Sequence, residues 1–180
     1  ARAKLPGFID RKKKLMDNPV VEFVNAVMDV ALQDFSYDSV FHYMKSPLSG
    51  FTKEECDMTE NYILALGIRR YSGYTKEWTR RPRTKYTCPL EELNEVRKKL
   101  VEKLSEFYRT MRGVSTTTEK LTALYWLLAG HGAEKYLEEQ AEVFMQTEPL
   151  RAREYQQLWR ILLEIFDRMA GLLGEEKLVL

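Results

Sequence analysis

Cysteine is scarce in this 180-residue chain: Cys56 and Cys88 are the only two. That is too few for a disulfide-stapled secreted domain, and they sit outside any CxxC pattern. With only two histidines, His42 and His131, a zinc site would need all four residues gathered together. No apolar run approaches the roughly 20 residues that cross a bilayer, and no signal-peptide core is read at the N-terminus. The expectation is therefore two free thiols in a reducing cytoplasm, with no membrane. Charge of one sign is missing as well. Lys and Arg number 28 against 27 Asp and Glu, so the net charge of +1 gives no global pull toward nucleic acid or acidic lipid. Any electrostatic function must come from how charges are distributed. The chemical motifs are also missing: no GxxxxGK[ST] phosphate loop, no GxSxG and no HExxH. Asp10, Asp17, Asp34 and Asp38 show no spacing that would gather a metal. The sequence offers no catalytic set and no cofactor site of its own.

What is present is helical periodicity. Asn18-Pro19 caps and opens a helix whose apolar stripe runs Val20, Phe23, Val24, Val27, Met28 and Ala31, ending near Asp34. Ser36 caps a short helix with Tyr37, Val40, Phe41 and Met44 inward. Thr52-Lys53-Glu54-Glu55 is a capping box, and that helix stops at Gly67. From Pro89, Leu90, Leu93, Val96, Leu100, Leu104, Phe107 and Met111 march in steps of three and four to Gly113. The face opposite, read as solvated, carries Glu91, Glu92, Glu95, Arg97, Lys98, Lys99, Glu102 and Lys103. A second capping box, Thr116 to Glu119, opens a helix closed by Gly130-His131-Gly132. An acidic helix over 133–147 carries Glu134, Glu138, Glu139 and Glu142. Pro149 then begins a long helix striped by Ala152, Tyr155, Trp159, Leu162, Ile165, Phe166 and Met169. Trp126 and Trp159 fall on such stripes and read as core. No segment alternates like a strand. The fold class is all-α, an irregular bundle of about seven helices.

Residues 68–89 break the pattern. They show no 3.6-residue period and are longer than an ordinary connection. Arg69, Arg70, Lys76, Arg80, Arg81, Arg83 and Lys85 set seven positive charges against Glu77 alone, with Tyr71, Tyr74, Trp78 and Tyr86 between them. Single-stranded nucleic acid is held by cations along its backbone and aromatics stacked on its bases. The candidate nucleic-acid residues are therefore Arg69, Arg70, Tyr74, Trp78, Arg80, Arg81, Arg83 and Lys85. In the competing reading, the aromatics pack back on the helices and the arginines pair with acids, the helix 133–147 being an available partner.

Several segments resemble one family. Pro6-Gly7-Phe8-Ile9-Asp10-Arg11-Lys12-Lys13 followed by Asn18-Pro19, Tyr37 to Ser46 (YDSVFHYMKS), Glu60 to Arg69 (ENYILALGIR), Trp78 and Ala152 to Trp159 (AREYQQLW) are similar, in order and spacing, to segments of AddB. AddB is the B subunit of the bacterial AddAB-type ATP-dependent helicase–nuclease. One departure is that Arg70 and Tyr71 stand where the family often has Gly. The resemblance implies a helical, 2B-like accessory region of a UvrD-like helicase subunit that acts in double-strand break repair and recombination. It implies partners in the rest of the polypeptide, the A subunit and DNA. The family's ATP, magnesium, iron–sulfur cluster and nuclease carboxylates would lie outside these residues. On this reading 1–17 leads in from a preceding subdomain, 18–174 is the accessory subdomain, and 175–180 begins a following element. The alternative is a stand-alone helical protein-interaction module, hinted at by apolar residues off the main stripes: Leu64, Leu127, Leu158 and Leu163.

Overall fold

The computed structural model describes residues 18–83 and 89–178; the lead-in 1–17, Lys85 and Cys88 lie outside it. Within these residues the chain forms α1 (Pro19–Leu32), α2 (Tyr37–Met44), α3 (Lys53–Leu66), α4 (Tyr71–Thr75), α5 (Leu90–Arg112), α6 (Thr117–Gly130), α7 (Ala133–Phe144) and α8 (Pro149–Leu173). The all-α class holds. The helix beyond the expected seven is α4, a single turn inside the segment read as irregular. Two short strands also appear: β1 (Ser115–Thr116) pairs antiparallel with β2 (Lys177–Leu178).

The predicted starts and stops are present. Asn18 accepts a hydrogen bond from the Val20 N–H, Ser36 from the Ser39 N–H, and both capping boxes, Thr52–Glu55 and Thr116–Glu119, are complete. At the end of α3, Gly67 takes a left-handed φ of 65°, and the Ile68 N–H reaches back to the Ile63 carbonyl at 3.1 Å. That six-to-one bond is a Schellman turn, which glycine adopts without a Cβ penalty.

Helix α5 is the hub. It packs on α1, α3, α4 and α6, while α7 and α8 pair with each other and join the bundle through α6. Leu93, Leu100 and Leu104 are fully buried along its inner stripe. At its C-terminus, buried Lys120 donates to the carbonyls of Thr110, Met111 and Gly113, the closest at 2.6 Å. An ammonium there satisfies orphan carbonyls at the negative end of the helix dipole. Burial pulls the pKa of Lys120 down.

Two of the apolar assignments differ. Trp126, read as core, is 67% exposed on α6. The stripe of α8 outruns the core: Ala152 and Tyr155 are buried, but Ile165 and Met169 face outward, as does Leu172 beyond the stripe. Of the off-stripe leucines, Leu64 is exposed, whereas Leu127 and Leu158 are buried.

Candidate nucleic-acid interface

The basic segment is pinned to the bundle from below. Asn94 on α5 accepts the Trp78 N–H at 2.9 Å and returns its amide to the Trp78 carbonyl at 2.8 Å, a side chain acting as a strand neighbour would. Its amide also reaches the Leu90 carbonyl. One turn on, Arg97 donates its Nε hydrogen to Asn94 Oδ1 at 2.8 Å and an Nη1 hydrogen to the Tyr74 carbonyl at 3.0 Å. From α3, the Tyr62 hydroxyl donates to the Arg80 carbonyl at 2.8 Å. Trp78 Nε1 closes the segment on itself through the Gly73 carbonyl. All but the Arg97–Asn94 bond, which joins two side chains, satisfy a backbone group that would otherwise be buried unpaired, or tied only to water.

Apolar periodicity does not reveal these anchors. It puts Arg97 on the solvated face of its helix, yet Arg97 is 6% exposed, with main-chain and amide oxygens as its partners. The available signal is helical register. At 100° per residue, Asn94, Arg97, Val101, Ser105 and Tyr108 share one flank of α5, and a long polar side chain there has a neighbour to reach.

The aromatic half of the expected site must be corrected. Tyr74 is fully buried and Trp78 is 5% exposed, so neither ring has a face to offer a base. Trp78 stacks on Tyr62 with centroids 4.9 Å apart, and Tyr74 packs against Phe35 at 5.4 Å. Apolar ring area is worth more inside the bundle than in water, so these side chains complete the core beneath the segment. On the aromatics, the competing reading is the one observed.

The cations divide the other way. Arg69, Arg70, Arg80, Arg81 and Arg83 are all exposed, and among the described residues none forms an ion pair. The acidic helix is not their partner: α7 packs on α8 and α6, and its lysine–glutamate pair is its own Lys135–Glu139. Lys85 lies outside the described residues. The structure thus presents five arginines on a backbone fixed from beneath, with the aromatics turned inward.

Arg70 holds the segment's tightest backbone, at φ 63° and ψ 155°, a region close to glycine-only. Arg70, one of the two residues set apart above from the pattern that the segment resembles, is thus an arginine in a glycine conformation. Its neighbour's N–H, on Tyr71, is caught by Asp34 Oδ1 at 3.2 Å. Arg70→Gly should therefore raise stability, by about 1 kcal/mol from relieved strain less the extra entropy of the unfolded glycine. Urea midpoints of the two chains measure it, and a fall in midpoint would contradict the strain.

Elsewhere, a polar cleft of about 370 Å³ is lined by Tyr37, His42, Lys45 and Glu60 among others. Tyr37 donates its hydroxyl to Glu60, and Lys45 pairs with the same carboxylate at 2.9 Å. The Glu60 bond pushes the Tyr37 pKa up to about 12, while the Tyr37 and Lys45 donors hold Glu60 below its ordinary range. Both shifts stabilise the pair against proton exchange near neutrality, which is the behaviour of a structural bridge between α2 and α3 rather than of an acid–base couple. Among the described residues, no three His, Cys, Asp or Glu side chains gather where they could hold a metal ion or cluster.

No protein-family model matches the chain. It is 39% identical to the B subunit of the ATP-dependent helicase/deoxyribonuclease of Lachnoclostridium phytofermentans, over 99% of this chain and 16% of that protein. The corresponding B subunit of Clostridium novyi is 33% identical over 98% of this chain and 15% of its own length. That of Acetivibrio thermocellus is 32% identical over 96% and 16%. The chain thus spans about 16% of the length of the curated relatives it matches.

Proposed function

Since the chain is homologous, nearly end to end, to a segment of the ATP-dependent helicase/deoxyribonuclease B subunit, we propose that it serves as a helical accessory part of such a protein. Its role is to hold DNA by the phosphate backbone while catalysis is carried out elsewhere in the assembly. The parent activity would be unwinding and resection of broken DNA in recombinational repair, in the cytoplasm and together with the A subunit. ATP, magnesium and an iron–sulfur cluster would belong to other parts of the parent protein.

The observation that carries this reading is the set of five exposed arginines, unpaired among the described residues, on an anchored backbone. Guanidinium groups bind phosphate through a rigid fork, and a fixed backbone removes part of the ordering cost of binding. With Tyr74 and Trp78 buried, binding would depend on the sugar–phosphate chain and little on base identity. The apolar outer face of α8, with Ile165, Met169 and Leu172 exposed, supports a second contact, to the rest of the parent polypeptide.

The test is the salt dependence of affinity for a short DNA duplex. Each phosphate contact adds about 0.9 to the slope of log K against log salt, so five arginines give up to about −4.5. R80A/R81A/R83A should flatten that slope by nearly 3 while leaving the circular dichroism spectrum unchanged, because these side chains are exposed. A slope near zero in the unmodified chain would overturn the reading, as would a steep slope indifferent to the substitutions.

A further inference from the structure

The flank of α5 opposite the basic segment carries a groove of about 640 Å³, walled by α5 and the antiparallel α6. Counting 100° per residue, Glu102, Lys103, Glu106 and Thr110 lie roughly half a turn from Asn94, Arg97, Val101 and Ser105. The two surfaces are therefore separated by the body of one helix.

The groove has an apolar floor, an aromatic wall and an acidic rim. Phe107 and Leu127 form the buried floor. Trp126 stands in the α6 wall, 67% exposed, its ring braced edge-on by Tyr125 at a centroid distance of 5.2 Å. Glu102, Glu106 and Glu119 are exposed along the rim against a single cation, Lys103. None of the three glutamates is in an ion pair among the described residues. At its far end the groove meets His131, whose Nδ1–H donates to the Leu127 carbonyl at 2.7 Å while Nε2 accepts from the Tyr43 hydroxyl at 2.8 Å. Burial lowers the His131 pKa, so this end stays uncharged at neutral pH and the rim keeps its negative sign.

We propose that this groove seats a basic amphipathic helix of a partner protein. The stretch from Glu102 to Thr110 rises about 12 Å, a little over two turns of a facing helix. Such a helix would lay an apolar stripe on Phe107, Leu127 and the face of Trp126, with lysines or arginines on its shoulders against Glu102 and Glu106. Helix-in-groove docking reads apolar anchors at i, i+3, i+4 and i+7, and tryptophan is over-represented among residues that dominate such interfaces. The rim's sign selects the occupant: it repels a phosphate backbone and an acidic helix, and favours a cationic one. Opposite placement on α5 lets DNA and this partner be held at the same time.

The probe is a fluorescein-labelled, 18-residue synthetic helix with leucines at helical spacing flanked by lysines. A control carries glutamate at every lysine position. Anisotropy with the full 180-residue chain should give a Kd on the order of 10 μM for the lysine helix, and at least tenfold weaker binding of the glutamate helix. E102Q/E106Q and, separately, W126A should each weaken the lysine helix about tenfold without altering DNA affinity; Glu119 is left in place because it completes a capping box. R80A/R81A/R83A should leave the helix bound. W126F keeps the apolar bulk and should restore most of the affinity lost in W126A. Equal binding of both helices, or indifference to E102Q/E106Q, would overturn the proposal. So would either of two other occupants: a dimer seen by light scattering that W126A dissolves, or a tenfold gain in helix affinity when Arg11 to Lys14 are replaced by alanine, which would mean the chain's own cationic run competes for the groove.

Discussion

Asn94→Leu should lower the stability of the chain by about 3–4 kcal/mol and free the basic segment that it holds. Leucine keeps asparagine's branched outline, with bulkier methyl ends, but leaves the Trp78 N–H, the Trp78 carbonyl and the Arg97 Nε without the partners they have now. Each buried polar group so orphaned costs about 1–3 kcal/mol, and the costs overlap because all three share one side chain. Asn94 and its neighbours are almost fully enclosed, so water cannot easily replace the lost bonds. Asn94→Asp separates the terms. A carboxylate can still accept from Trp78 and Arg97, and gains a charge partner in Arg97, but it repels the Trp78 and Leu90 carbonyls that the amide now serves. It should fall between the unmodified chain and Asn94→Leu. Urea unfolding gives the ranking, and amide exchange over residues 74–83 should speed up in Asn94→Leu well before global unfolding. The DNA salt slope should fall in parallel, since the arginines would lose their fixed spacing. A cost under about 0.5 kcal/mol would mean that the segment is held by its aromatics alone and not by Asn94.

This anchoring explains why the arrangement is only half legible in the sequence. Local signals work where the physics is local. Both capping boxes, the Asn18-Pro19 start and the left-handed Gly67 follow from backbone groups satisfied within four or five residues. The aromatics of residues 71–78 cannot be placed that way. Tyr74 and Trp78 are buried because the turn after α1, α3 and α5 bring Phe35, Tyr62 and Asn94 to them from 16 to 39 residues away. Interleaved arginine and tyrosine read alike whether the rings face a base or the core. The exposed arginines are legible because a guanidinium with no buried oxygens to receive it stays in water; Arg97, which has such oxygens, is the exception. Trp126 misleads for the opposite reason: it lies at helical spacing from core residues, but its position faces the groove between α5 and α6, not the interior. Arg70 is marked, with Tyr71, only by the resemblance noted above; its φ of 63° comes from the fold and no local pattern announces it.

Phe35→Ala should be the most destabilising of the single changes considered, at about 4 kcal/mol. Helix α1 ends in the same turn as α3, the Phe35 N–H bonding back to the Val30 carbonyl at 3.0 Å, but no glycine is present. Asp34 and Phe35 take φ of 50° and 55° in succession. For residues with a Cβ that geometry costs about 1–2 kcal/mol each, so something must offset it. For Asp34 the offset is polar: its Oδ1 accepts the Tyr108 hydroxyl at 2.6 Å and the Tyr71 N–H at 3.2 Å, joining the end of α1 to both α5 and α4. For Phe35 it is apolar: the fully buried ring meets Tyr71 at 5.1 Å, Tyr108 at 5.2 Å edge-on and Tyr74 at 5.4 Å. Truncation to alanine keeps the backbone strain and removes the ring, adding a cavity among three tyrosines to the lost transfer free energy. Asp34→Gly is the informative contrast. It relieves the left-handed strain but leaves the Tyr108 hydroxyl and the Tyr71 N–H without their acceptor, so its net loss should be smaller, about 1–2 kcal/mol. If Asp34→Gly proved the costlier of the two, the turn would be held chiefly by its carboxylate. If Phe35→Ala cost less than about 2 kcal/mol, the aromatic cluster would not be what sustains the strained end of α1, and Arg70, whose neighbour's N–H is tied to that turn, would need another source of support.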